Sequence, residues 1–235
     1  TQPGTSFIAN TGGQTAGGNI TRVLQTDLDQ LSSFLDTKFG YKTGPYQGYD
    51  NEVPAIRFMS KLDYNLDDKN KLTLRYIHLD SKTDVLVSNS NSLGIGGFRQ
   101  NSTNGLAYQN SNYQIGEYIR NVIGEWNGIL SDKMSNNLIV GYSHHDESRE
   151  SRGSFFPFVD ILGTGATNYI SFGYEPFTPN NELRYSSLQL QDNLSYSMGE
   201  HYLTVGASVE KYQSENIFFP GAQSAYVYNK LSDFY

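Results

Sequence analysis

The chain has 235 residues, a formal net charge of −7, no cysteine, a charged fraction of 17% and an aromatic fraction of 14%; soluble domains carry roughly 25% charge, so low charge with abundant Tyr, Asn, Ser and Gly points to an all-β protein. Net acidity leaves no basic footprint for nucleic acid, and the absence of Cys excludes disulfides and thiolate metal centres. No run approaches the roughly 18 apolar residues of a membrane helix, in line with a mean hydropathy of −0.52, but a membrane β-barrel escapes that test because its strands alternate lipid-facing and lumen-facing residues.

The first residues, TQPGTSF, show neither an initiator Met nor a signal peptide, so the chain reads as a piece of something longer. GTSFIANTGGQTAGGN is aperiodic and reads as loop. TDLDQLSSFLDTKFG (26–40) has the period of a helix over 26–39, with Leu24, Leu28, Leu31 and Leu35 on one face, Thr26 as cap and Gly40 as terminator. YKTGPYQGYDNEVP returns to loop, so residues 1–54 form one long connection. From Ile56 the period is two: Ile56, Phe58, Leu62, Tyr64 and Leu66 alternate with Arg57, Lys61, Asp63 and Asn65, then Leu72, Leu74 and Tyr76 with Thr73 and Arg75 after a turn at Asp67–Asn70. The same hairpin returns around Ser131-Asp132-Lys133 and Met198-Gly199-Glu200, which places three hairpins in 55–212. Residues 80–115 and 146–182 are long connections, and 213–235 begins another.

Short turns and long connections therefore alternate, so all tight turns lie at one end of the strands. A soluble sandwich tolerates either kind of connection at either end, whereas outer-membrane barrels have short periplasmic turns and long extracellular loops. Segments of about ten residues suit a tilted membrane strand. The polar faces hold mostly Asn, Gln, Ser, Thr and Gly, as a lumen would, and Tyr64, Tyr76, Tyr142 and Tyr196 sit on the apolar face, where interfacial girdles place aromatics. Asp192 opposes this, lying between Leu190 and Leu194; an interfacial depth or a β-bulge would remove the conflict. The expected fold is an antiparallel up-and-down transmembrane β-barrel segment of about six to eight strands, with long extracellular loops and one short amphipathic helix.

TRVLQTDLDQLSSFLDTKFGYKTGPYQGY, PAIRFMSKLDYNLDDKNKLTLRY, SRGSFFPFVDI and HYLTVGASVEKY together resemble the Oar-like TonB-dependent transporters of Bacteroidota outer membranes, over essentially the whole chain. The resemblance implies a barrel of 22 strands in such transporters, closed by a plug domain and energised through the TonB complex. No plug-like segment or TonB box is found here, so the chain reads as a partial barrel domain in the outer membrane. Its implied partners are membrane lipid, the parent chain's plug, the TonB complex and an unidentified ligand. An adhesion or structural outer-membrane protein, or a soluble sandwich with binding loops, is the alternative.

No catalytic constellation emerges: G-x-S-x-G is missing, LGIGGF (93–98) neither follows a strand nor opens a helix and reads as a flexible loop tip, and an enzyme is not expected. No cofactor site is expected either. His144-His145-Asp146 is the only His pair, but spacing locates no third ligand, so no metal site is assigned. The loop aromatics Phe155, Phe156, Phe158, Tyr174, Phe177, Phe218 and Phe219 are candidates for ligand contact, against the alternative that they pack the loops together. Arg57, Lys61, Asp63, Arg75 and Glu125 are expected to face the lumen.

Overall fold

A computed structural model describes residues 2–235. In chain order, β1 (Gln2–Pro3), β2 (Ile8–Asn10) and β3 (Ile20–Leu24) lead into α1 (Gln25–Phe39) and β4 (Asp50–Asn51). The first hairpin joins β5 (Ala55–Asn65) to β6 (Asn70–Val85); β7 (Leu106–Ala107) precedes the second, β8 (Tyr113–Ser131) with β9 (Met134–Asp146). Between it and the third lie β10 (Arg149–Ser151), β11 (Phe158–Leu162) and β12 (Asn168–Phe172). The third joins β13 (Glu182–Met198) to β14 (His201–Ile217), and β15 (Ala225–Tyr228) follows. The strands outrun the alternation read from sequence: β6 continues to Val85, β8 starts at Tyr113, and β14 reaches Ile217, because polar outward positions near the loops keep pairing after hydrophobicity has stopped marking them.

The six long strands form one antiparallel wall in the order β14-β13-β9-β8-β6-β5, with β10 added to the loop end of β8. Its tight turns are built locally. Asp67 Oδ1 accepts from the Lys69 N–H at 2.7 Å and from Asn70 Nδ2 at 2.9 Å, an Asx-type turn. Gly199 takes φ 61°, the left-handed conformation the third turn requires. In the second turn the register shifts between Ile129 and Ser131, which takes Leu130 out of the regular alternation.

Register assigns a face to every wall residue. One cross-strand row reads Leu62-Leu74-Gly124-Val140-Leu190-Val209, apolar across the entire wall; the row beside it on the turn side reads Tyr64-Leu72-Trp126-Leu138-Asp192-Ala207. Rows nearer the loops turn polar unevenly: Ile56-Asp80-Tyr118-Asp146-Arg184-Glu215 is uncharged only at β5 and β8. On the turn side the reverse holds, since Leu194 and Val205 share a row with Asn136 and Asn70. The apolar band thus crosses the rows obliquely, as it must when strands tilt and stagger while the band follows a level membrane. From Ile56 to Tyr64 it covers about 26 Å of strand, or about 20 Å along the membrane normal at the usual tilt.

Asp192 stays on this face: β13 pairs β9 and β14 without interruption, so no bulge rescues it, and it sits mid-band between Leu190 and Leu194 rather than at an interface. The compensation is a side chain, for Asn136 Nδ2 donates to Asp192 Oδ1 at 2.6 Å.

The buried core lies elsewhere. Leu62 is 64% and Val205 75% exposed on the apolar face, while every large, fully buried side chain belongs to the loops. Those loops knit into a cap around a four-stranded sheet, β15-β11-β12-β7, whose β11–β15 and β12–β7 pairings are parallel and join segments from three separate connections. Leu28, Leu31 and Leu35 of α1 pack with Val159, Ile161, Ile170, Phe172, Leu106 and Tyr108. Leu24 departs from the expected helical face: it ends β3, occupies the N-cap position in extended conformation, and is exposed. Thr26 therefore does not cap. Entry straight from a strand moves the cap two residues earlier, to Leu24, where Tyr169 Oη accepts from the Leu24 N–H at 3.0 Å and donates to Asp27 at 2.7 Å. Gly40, at φ 66°, ends the helix as expected.

Candidate functional site

The polar face of the wall and the cap above it are the two surfaces on which the candidate residues fall. Register puts Arg57, Lys61, Asp63, Arg75 and Glu125 on the polar face together with Asn127, Asn137, Gln189, Gln191 and Asn193. Asp63 is the hub on the first hairpin, contacted by Lys61 at 2.9 Å, Lys71 at 3.5 Å and the Thr73 hydroxyl at 2.6 Å. Glu125 Oε1 accepts from Asn127 and Asn137, each at 2.9 Å. Arg57 and Arg75 have no ion-pair partner among the described residues. Cations thus gather on β5 and β6, whereas Glu117, Glu125 and Glu210 lie on β8 and β14, so the polar face is electrostatically divided. Near the turns this face is concave, with a cavity of about 720 Å³ lined by Asn65, Lys71, Asn127, Asn137, Asn193 and Tyr202 among others.

The loop aromatics divide. Phe158 is fully buried and Phe177 nearly so, and Phe156 stacks on Tyr41 with ring centroids 4.4 Å apart. These three hold the cap together and present little surface to a ligand. Tyr174 is half-buried beside Phe155, at 5.4 Å. Phe155, Phe218 and Phe219 are exposed at the rim, as is Phe98, which the sequence did not single out.

Two buried polar groups explain how loops so rich in Ser, Asn and Gly take a defined shape. Arg99 is fully enclosed; its Nε donates to Asp160 Oδ2 at 3.0 Å, its remaining nitrogens to the Ser88 and Ser90 carbonyls, and Phe158 lies under the guanidinium at 5.5 Å. Ser171 completes the site by donating to Asp160 Oδ1 at 2.7 Å. With Ile95 also buried, 93–98 is anchored to the cap sheet and is not a free tip. The second group is Glu175, whose Oε2 accepts from the Phe177 N–H and the Thr178 hydroxyl while Oε1 has no partner. Burial pushes its carboxyl above the usual range, and those two donors only partly oppose the shift. A cleft of about 560 Å³ opens beside Arg22, Gly163, Tyr169 and Lys230, but Arg22 is committed to the carbonyls of Asn104, Thr164, Thr167 and Asn168, so it clamps loops together.

Strand alternation splits the His pair. His144 and Asp146 point to the outward face, where Asp146 accepts from Arg184 at 3.0 Å, while His145 points to the polar face toward Glu117 and Glu147. Glu147 lies two residues from His145, but sequence spacing could not supply Glu117, which comes from the neighbouring strand through a register no motif encodes.

Residues 4–233 match a family model described as outer membrane beta barrel domain. No curated protein matches the chain.

Proposed function

Because the chain belongs to the outer membrane β-barrel domain family, we propose that it is barrel wall and external cap of a TonB-dependent receptor that takes up a ligand across the outer membrane. The apolar face contacts lipid and the polar face lines the lumen. The observation that carries the reading is the cap: separate connections share one hydrophobic core directly above a polar, charge-divided wall, which is the arrangement a capture-and-admit device needs. The resemblance to Oar-like transporters of Bacteroidota supplies the rest. A plug elsewhere in the parent chain meets the lumenal cations Arg57, Lys61 and Arg75, and TonB drives its rearrangement. Phe98, Phe155, Phe218 and Phe219 at the rim are the residues through which the cap meets its ligand.

The test is binding of the purified periplasmic domain of TonB to the full-length protein in detergent. Saturable binding that is lost on deleting the segment upstream of this wall supports transport. A parent chain with neither plug nor TonB binding overturns it in favour of the second reading, an adhesion or structural protein of the same membrane, whose rim aromatics would hold a surface partner.

A further inference from the structure

We propose that Glu117, His145 and Glu147 form a binding site for a first-row divalent cation of the Zn²⁺ kind, on the polar face near its loop end. His145 Nε2 lies 3.4 Å from Glu147 Oε1 and 3.8 Å from Glu117 Oε1, and the three ligand atoms fall within 4.8 Å of one another. These separations are too long for hydrogen bonds, but ligand atoms around a tetrahedral ion at roughly 2.0–2.1 Å stand about 3.4 Å apart, so the set needs only a small closing movement. Glu117 and Glu147 are both partly exposed and free to make it.

The imidazole is prepared for the role. Its Nδ1 is engaged by the Tyr185 hydroxyl of β13, which fixes the ring and, with the proton on Nδ1, leaves the Nε2 lone pair directed between the carboxylates. Nε2 itself is shut off from solvent and has no hydrogen-bond partner, an uncommon condition for a buried polar atom. Neither carboxylate has another ion-pair partner among the described residues. Arg149, on the same face, lies over the Tyr113 ring at 4.8 Å instead of meeting them. One imidazole with two carboxylates suits Zn²⁺ and its neighbours, whereas Ca²⁺ and Mg²⁺ prefer all-oxygen shells. Three protein ligands leave a fourth position open toward the polar face, which water or a donor atom of an incoming molecule fills. That last use rests on the proposed function; the site itself does not.

The experiment is calorimetric titration of the full-length, metal-free protein in detergent with ZnCl₂, repeated for His145→Ala, Glu147→Gln and Tyr185→Phe. One saturable site is expected in the wild type, lost in the first two variants and weakened about 10–100-fold in the third, with excess Mg²⁺ failing to compete. Metal-free melting curves that overlay for all four proteins exclude misfolding as the cause. Co²⁺ bound in place of Zn²⁺ should show visible absorption that His145→Ala abolishes. Equal Zn²⁺ affinity in wild type and His145→Ala overturns the proposal, as does a cluster that responds to pH alone and takes up no metal. Since the titration needs neither plug nor TonB, its result is independent of whether the parent transports.

Discussion

At the scale of single residues, the burial of charge in the cap makes the sharpest predictions. Arg99→Met leaves Asp160 enclosed without its cation, and breaking a buried pair in this way costs about 3–5 kcal/mol; near-ultraviolet circular dichroism of the Tyr-rich cap should show a lower denaturation midpoint, with the wall transition unchanged. Glu175 acts in the opposite direction along the pH axis. Its folded pKa lies above the ordinary value of 4.5, so the folded cap holds the proton more tightly than the unfolded chain. The contribution is therefore fully present below that value and is lost as pH rises through the raised one. Glu175→Gln should flatten the cap's stability between acidic and neutral pH; an unchanged slope would show that another group titrates. Asp192→Leu, on the lipid face, removes a carboxylate whose only described side-chain bond is to Asn136, and should leave thermal stability in detergent equal or higher. The place of Asp192 was legible from strand alternation, but the roles of Arg99 and Glu175 were not. Residue type marks Arg99 and Glu175 as surface groups, and only the convergence of distant loops buries them.

Among the elements, strand period sets what each face tolerates. Leu190→Arg puts a cation mid-band on the lipid side and should cost about 2–4 kcal/mol in urea titrations of folding into liposomes. Gln191→Arg, one residue along and on the opposite face, should be close to neutral. Equal costs at both positions would mean that the faces are assigned wrongly. The helix obeys the cap's core and not the membrane: Leu31→Ala should cost about 2–5 kcal/mol of cap stability. The apolar positions of α1 and of the three hairpins were readable in the sequence because a repeating 3.6 or 2.0 period is a local property. The strands β7, β11, β12 and β15 were not, since segments as short as Leu106–Ala107 become strands only through partners supplied by other loops.

For the whole molecule, the wall has two edges, β5 and β14, that pair with nothing among the described residues. Backbone donors and acceptors cannot be left open to hydrocarbon, so in the membrane both edges must be paired with strand backbone. Hydrogen exchange on the full-length protein in nanodiscs should find amides of Met59 and Thr204, which face the open edges, as protected as those of Val122 at the wall's centre; fast exchange at the edges would rule out a closed barrel. By itself the sequence determined the all-β character, the three hairpins, their apolar and polar faces and the segregation of short turns from long loops, because each follows from patterns along the chain. The tertiary structure decided the cap, its buried ion pair and the meeting of Glu117 with His145 and Glu147. Those depend on register and on contacts between segments far apart in sequence, where the free energy of burial is shared among partners that no local pattern names.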